Sequence, residues 1–124
     1  MYCNGEKIKY DVIYNSYDSK IRINITSLRN GNEIEIYWNN KLFSTYKMFY
    51  DCIDIIAIDL SNIDTSSVTN MYEMFYGCST LTSLNLLNFN TSSVTTMHEM
   101  FSGCSALTSL DLSNFNTSSV IYMT

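Results

Sequence analysis

A 26-residue spacing constrains the fold of this chain more than any other feature of its sequence. Cys52, Cys78 and Cys104 lie 26 residues apart, and a Met-Phe pair precedes each of them by the same interval. A fixed period of this length is typical of stacked repeats, in which each unit buries its apolar face only against its neighbours. The spacing therefore predicts a repeat architecture before it indicates any chemistry.

The repeat region divides into units of one pattern. A half-unit covers residues 42–54, full units cover 55–80 and 81–106, and a partial unit covers 107–124. Each unit after the first begins with apolar residues spaced as L-x-x-L-x-L, and the period of two at its end predicts a short strand. Within 94–104, apolar residues recur at steps of three and four, which predicts a helix of about three turns. Thr-Ser-Ser before it supplies capping hydroxyls, and a glycine near its end suits a helix terminus.

Strand, turn, helix and turn in every unit predict a parallel sheet on one side and parallel helices on the other, with right-handed crossovers. The pattern LTSLDLSNFNTSSVxxMxxMFxGCSx resembles the 26-residue, Met-Phe-Gly-Cys variety of leucine-rich repeat in BspA-like surface proteins of bacteria, mollicutes and some protists. The resemblance covers residues 42–124 and implies an α/β fold, a right-handed leucine-rich-repeat solenoid. It also implies a cell-surface interaction or adhesion module. The chain departs from the common repeat at Ile63, Phe89 and Phe115, which replace the usual asparagine and predict an aromatic spine.

Residues 1–41 follow a different pattern and predict an N-terminal antiparallel β cap of three strands. Apolar and polar residues alternate in three segments, which are 8–14, 21–25 and 34–36. A solenoid needs its first coil covered, because an open end exposes apolar core and an unpaired strand edge. Residues 33–38 are a candidate for the first strand of the repeat sheet. Cap and repeats together are expected to form a single structural domain.

The uneven distribution of charge argues against some classes of partner. From Leu42 onward Lys47 is the only Lys or Arg against seven Asp and Glu, in a chain of net charge −5. Affinity for nucleic acid comes largely from cationic contacts, so no nucleic-acid binding is expected. The chain has no apolar run of about 18 residues, so no membrane insertion is expected.

The predicted location rests on the resemblance, which implies the cell surface or the extracellular space. The first ten residues lack the basic and then apolar layout of a secretory signal, and no anchor is present. Two interpretations stay open. Either the chain is a mature or recombinant fragment, or the protein works inside a cell or a particle.

The residues that could carry chemistry are explained by the repeat. The three repeat cysteines hold the last inward position of each predicted helix, so reduced core cysteines are expected, while Cys3 lies outside the register and could bond or stay free. His98 is the only histidine, and Tyr and Thr at the equivalent positions indicate an exposed site. No nucleophile, base and orienting group can be assembled from these residues. We therefore expect no enzyme, no cofactor, no metal site and no small-molecule substrate.

The outward side chains of the predicted strands form the candidate partner-binding face. They are small apart from Leu87, and the candidate residues are Asp59, Ser61, Thr82, Ser83, Asn85, Leu87, Thr108, Ser109, Asp111 and Ser113. Such a face suits an extended protein contact better than a small-molecule pocket, and the alternative is a solvated sheet face without function. A second candidate contact is an open end of the solenoid at Val120, Tyr122 and Met123, where a further predicted helix begins without a cap.

These features favour a non-enzymatic protein-interaction module, with cell-surface adhesion or partner binding through the solenoid face. The alternative is a structural subunit of a larger assembly, such as a filament, coat or viral particle, which packs through its open C-terminal end and charge-poor faces. A protein partner or self-association is expected in both cases. Lys47, Glu73 and Glu99 form a charged column with one residue per unit, for which surface solvation is the simplest interpretation.

Overall fold

The computed structural model describes residues 2–3, 6–7, 21–27, 33–38 and 41–124, the first four ranges through their backbone pairing. The strands are β1 (Tyr2–Cys3), β2 (Glu6–Lys7), β3 (Ile21–Ser27), β4 (Glu33–Trp38), β5 (Ile55–Asp59) and β6 (Ser83–Asn85). β1 and β2 form a two-stranded antiparallel sheet, and a four-stranded sheet has the order β4-β3-β5-β6. Strands are thus present at two of the three segments predicted for the cap, and the first, 8–14, lies outside the described residues.

The four-stranded sheet joins the N-terminal strands to the repeat strands. β3 pairs antiparallel with β4, with Ile23 opposite Ile36, and antiparallel with β5, with Ile25 opposite Ile58. β5 pairs parallel with β6, with Ile58 opposite Leu84, as the repeat pattern predicts. β3 therefore lies beside the first repeat strand and β4 lies at the sheet edge. This order corrects the suggestion that residues 33–38 supply the first strand of the repeat sheet.

A second line of backbone bridges runs through four successive units. Ser44, Asn70, Thr96 and Tyr122 pair in parallel, and each lies 26 residues from the next. Because equivalent residues are bonded both here and along β5 and β6, the units stack in register as coils. The assignment of this coil stack to the leucine-rich-repeat class stays a prediction.

The segment predicted as a helix is a run of turns. Residues 72–77 and 98–103 are turns, and the described residues contain no helix. The amides of Glu73, Phe75 and Gly77 donate to carbonyl oxygens of the next coil at 3.0, 3.0 and 2.8 Å. The amides between them donate to the carbonyl three residues back in the same coil. Half of the backbone amides of the segment therefore make hydrogen bonds to the next coil and not within a helix. This corrects the local helix prediction.

Two residues with left-handed backbone conformation in each unit explain why no helix forms. Glu73 has a φ of 52° and Gly77 a φ of 73°, and Glu99 and Gly103 repeat the pair one coil later. Two residues with positive φ, four positions apart in each unit, interrupt the hydrogen bonding from residue i to residue i−4 that a helix requires. The turns nevertheless bury the side chains of the predicted helical stripe, among them Val94, Met97 and Met100.

The core consists of columns of equivalent residues. The ring of Phe49 stacks on that of Phe75 at 5.4 Å, and Phe75 stacks on Phe101 at 5.7 Å. Phe89 stacks on Phe115 at 6.1 Å, in the place where the aromatic spine is predicted. Such ring pairs contribute about 0.5–1.5 kcal/mol each beyond the burial of their area. The aromatic columns therefore hold successive coils in register from the inside.

Hydroxyl side chains bond the coils together at their edges. Oγ1 of Thr65 donates to the carbonyl of Asn90 at 3.0 Å and accepts from the Asn90 amide at 2.8 Å, and Thr91 bonds Asn116 in the same way. Other hydroxyls donate to a carbonyl of the preceding coil, and they belong to Thr69, Thr80, Thr82, Ser93, Thr95, Ser105 and Ser119. The threonine predicted as a helix cap is thus a bridge between coils.

Candidate interaction surfaces

The residues of the predicted partner-binding face are exposed or half-buried, and Leu87 is 69% exposed. The polar column of this face has an internal role. Oδ1 of Asp59, Asn85 and Asp111 accepts a hydrogen bond from the amide two residues later, at 2.9, 3.1 and 2.9 Å. Hydrogen bonds from Ser113 also lower the pKa of the Asp111 carboxyl. The column therefore closes the turn after each strand segment, and partner binding through this face stays a prediction.

The turns of the coils carry a second surface, which sequence reasoning missed. Tyr46 stacks on Tyr72 with ring centroids 5.6 Å apart, and the His98 ring lies 5.2 Å from that of Tyr72. Tyr50 stacks on Tyr76 at 5.1 Å in a second row. We name this surface the tyrosine face, and it comprises Tyr46, Lys47, Tyr50, Tyr72, Glu73, Tyr76, His98 and Glu99. Tyr46 is exposed, Glu73 is buried and the other residues are half-buried.

A lysine of the tyrosine face contacts both rows of rings. Nζ of Lys47 lies 4.4 Å from the ring centroid of Tyr50 and 5.6 Å from that of Tyr46. The same atom lies 3.0 Å from Oε2 of Glu73 in the next coil. Contacts of this kind between a cation and an aromatic ring are attractive because the ring face carries partial negative charge. Lys47 is therefore held by two rings of its own coil and one carboxylate of the next.

The ion pair of Lys47 and Glu73 shifts the titration of both groups. The hydrogen bond that Lys47 donates to the Glu73 carboxylate raises the pKa of Lys47. Burial acts to raise the pKa of Glu73, but hydrogen bonds from Lys47 and Tyr72 outweigh it and lower that pKa. The hydrogen bond to Glu73 in turn raises the pKa of Tyr72. Both members of the pair are therefore charged at neutral pH.

His98 and Glu99 form the last coil of the tyrosine face. A hydrogen bond joins Nδ1 of His98 to Oγ1 of Thr124. Glu99 is half-buried and has no ion pair among residues 41–124. The signal for this surface was present in the sequence, because tyrosines recur at equivalent positions in successive units and coils in register bring equivalent residues to about the 5 Å separation of paired strands.

The repeat cysteines differ in their bonding. Cys78 and Cys104 are free thiols, and their Sγ atoms donate to the carbonyl oxygens of Phe49 at 2.9 Å and Phe75 at 3.1 Å. Burial raises the pKa of the Cys78 thiol to about 12 and also raises that of Cys104. Cys52 is disulfide-bonded, which corrects the prediction that all three are reduced. The repeat register determines the surroundings of a thiol, but it does not determine its oxidation state.

Residues 43–124 match a family model described as Mycoplasma protein of unknown function, DUF285. The chain belongs to this family. DUF285 is a related family of surface-associated repeat proteins, which confirms the broader part of the resemblance, while the BspA-like assignment stays a prediction. No curated protein and no solved structure matches the chain.

The last coil of the DUF285 region borders an apolar cavity of about 630 Å³. Its apolar wall consists of Met97, Met100, Phe101, Leu112, Phe115 and Met123. Leu112 is 39% exposed, whereas Leu86, its equivalent one coil earlier, is 3% exposed beneath the following coil. Of the predicted open-end residues, Val120 packs partly against the core, and Tyr122 and Met123 are exposed. The open-end residues therefore lie at or beside an exposed apolar surface.

Within the part of the chain that the structure describes, no group of three or more His, Cys, Asp and Glu residues is arranged to hold a metal ion. The described ranges contain no helix that is long and apolar enough to cross a bilayer.

Proposed function

We propose that this chain is a non-enzymatic interaction module of a surface-associated repeat protein, with the coils forming a leucine-rich-repeat solenoid that binds a protein partner through its strand face. One observation carries the proposal. The strand face is half-buried at Asp59 and Ser61 and exposed in the next two coils, and its Asp59, Asn85 and Asp111 column is held by hydrogen bonds to its own backbone. A surface fixed before binding loses little conformational entropy when a partner docks.

The bonding of the reactive side chains supports a non-enzymatic role. The thiols of Cys78 and Cys104 donate to carbonyl oxygens of neighbouring coils, and His98 is bonded to Thr124. Hydroxyls of the repeat, such as that of Thr65, likewise bond other coils. Nucleophilic catalysis needs a nucleophile and a base within reach of each other and of a substrate. In this chain the corresponding groups serve the stacking of the coils.

The proposal is tested with a photoreactive amino acid in place of Leu87, on intact cells that display the protein. The expected result is a discrete adduct with one partner. A photoreactive residue in place of Ile53, which is 54% exposed and belongs to neither the strand face nor the tyrosine face, is the matched control and should give no such adduct. Ser83→Lys and Ser109→Lys together should then abolish the adduct at position 87. An adduct that survives these changes, or that forms only at position 53, would contradict binding through the strand face.

A second candidate function, a structural subunit that associates with its own copies, is favoured by the cavity at the last coil. Its wall exposes Leu112 and Met123, which a second copy could cover. Sedimentation equilibrium over a concentration series should then show self-association that Leu112→Asp abolishes. Leu87→Asp introduces the same charge on the strand face and should leave association unchanged. A wild-type monomer at every concentration would rule out this candidate.

A further inference from the structure

We propose that the tyrosine face binds a lysine side chain from an extended partner segment, in a cradle formed by Tyr72, Tyr76 and Glu99. The proposal does not depend on the strand face, which lies on other residues of the coils. It begins from a lysine that the chain already holds in this way.

Lys47 shows which chemistry the tyrosine face accommodates. Its ammonium lies 4.4 Å from the ring centroid of Tyr50, 5.6 Å from that of Tyr46, and 3.0 Å from the carboxylate of Glu73. One coil supplies the two rings and the next coil supplies the carboxylate. The arrangement is therefore a cation site that spans two coils.

Within residues 41–124, the repeat reproduces this site one coil later without a cation in it. Tyr72 and Tyr76 stack on the two rings that hold Lys47, and Glu99 follows 26 residues after Glu73. Glu73 takes the sequence position equivalent to Lys47, and its carboxylate is bonded to that lysine. No Lys or Arg follows Lys47 in the sequence. Among residues 41–124, the second cradle thus has the rings and the carboxylate of the first but no ion pair or cation–ring contact of its own.

The charges of the tyrosine face favour a cationic occupant. Lys47 supplies one positive charge beside the negative charges of Glu73 and Glu99, so the column carries a net negative charge at neutral pH. Ring faces attract cations, and the methylene stem of a lysine packs on apolar surface while its ammonium stays solvated. Because the coils present rows of rings along the stack, the segment that carries the lysine is expected to be extended along those rows.

The test is titration of the whole chain with an acetyl-(Lys-Gly)₃-amide peptide, followed by calorimetry and by NMR of the tyrosine side chains. Binding is expected to perturb the resonances of Tyr72 and Tyr76. Glu99→Gln should weaken binding about 3- to 5-fold, and Tyr76→Ser about 3-fold, in line with the size of charge pairs and cation contacts with rings at partly exposed sites. Ser102 occupies the position of Tyr76 in the next coil, so the coil accommodates serine there.

Matched controls separate a cradle from general charge attraction. Asp111→Asn makes the same charge change on the strand face and keeps its turn, because Asn85 makes the equivalent bond. It should change affinity less than about 2-fold. Lys47→Gln vacates the first cradle and should tighten binding or add a second site, whereas Lys41→Gln should do neither. Equal binding of a peptide with acetylated lysines, or equal loss in Glu99→Gln and Asp111→Asn, would overturn the proposal.

Discussion

The thiol of Cys78 donates a hydrogen bond to the carbonyl oxygen of Phe49, 2.9 Å away in the preceding coil. Cys104 makes the same bond to Phe75 at 3.1 Å. The 26-residue cysteine column is therefore part of the bonding between coils. Both thiols donate a hydrogen bond to a carbonyl and have a raised pKa, so these cysteines stabilise the stack in their protonated form and are poor nucleophiles.

Alkylation should distinguish Cys78 from an ordinary thiol. Burial raises its pKa to about 12, so its thiolate fraction at pH 8 is roughly 1,000-fold below that of an unperturbed cysteine. Iodoacetamide should therefore leave Cys78 unmodified in the folded chain and modify it rapidly in denaturant, as read by peptide mass spectrometry. Equal rates in both states would contradict the buried position.

The same pKa makes stability depend on alkaline pH. The folded chain keeps the Cys78 proton up to about pH 12, while the unfolded chain loses it near the ordinary thiol pKa. The free energy of unfolding should therefore fall as pH rises above about 8.5, by up to about 1.4 kcal/mol per pH unit from this group. Urea unfolding at pH 8, 9 and 10 measures the slope. Cys78→Ala should be flatter over this range, and an unchanged slope would contradict the assignment.

Gly77 is expected to be intolerant of a side chain. A Cβ at this position would lie 1.8 Å from Oδ1 of Asp51, and the φ of 73° is itself costly for other residues. Gly77→Ala should destabilise the chain by roughly 1–3 kcal/mol in chemical unfolding. Asp51→Gly removes the obstructing carboxylate, so the double variant should recover part of that loss. Strict additivity of the two changes would show that the contact is absent.

The inward face of the coils was predictable from sequence, but the local backbone was not. A stripe of apolar residues at steps of three and four fits a helix, and it fits equally a run of turns with bonds to the residue three positions back. The feature that decides between them is the positive φ of Glu73 and Glu99, which are not glycine and carry no composition signal. The backbone hydrogen bonds that replace those of a helix join the amides of this segment to carbonyl oxygens of the next coil. A local sequence pattern therefore does not reveal them.

The residues of the strand face could be proposed from the alternation of apolar and polar residues. The tyrosine face could not be proposed in the same way, because the sequence predicted a helix in that segment. Helices pack with their axes about 8–10 Å apart, so the predicted helices place equivalent residues of successive units farther apart than the coils do and do not by themselves indicate stacked rings. Stacked turns bring Tyr50 and Tyr76 to 5.1 Å. The missed surface therefore follows from the missed turns.

The bridging hydroxyl of Thr65 should contribute measurably to stability. Thr65 is buried, and its Oγ1 bonds both the amide and the carbonyl of Asn90. Thr65→Val keeps the shape but leaves both groups without this partner, at an expected cost of about 1–2 kcal/mol. Ser93→Ala removes an exposed hydroxyl bond to Ser66 and should cost less than about 0.5 kcal/mol. Equal effects in thermal unfolding would show that burial of the bridge is unimportant.

The ion pair of Glu73 and Lys47 should contribute to stability at neutral pH and lose that contribution in acid. The folded pKa of Glu73 is lowered, so the contribution is present above the unfolded carboxyl pKa of about 4.3 and disappears as pH falls through the folded value. Wild type should therefore exceed Glu73→Gln in stability at pH 6, with a difference that shrinks through pH 4 and pH 3. A difference between wild type and Glu73→Gln that stays constant with pH would mean that the glutamate acts through its packing rather than its charge.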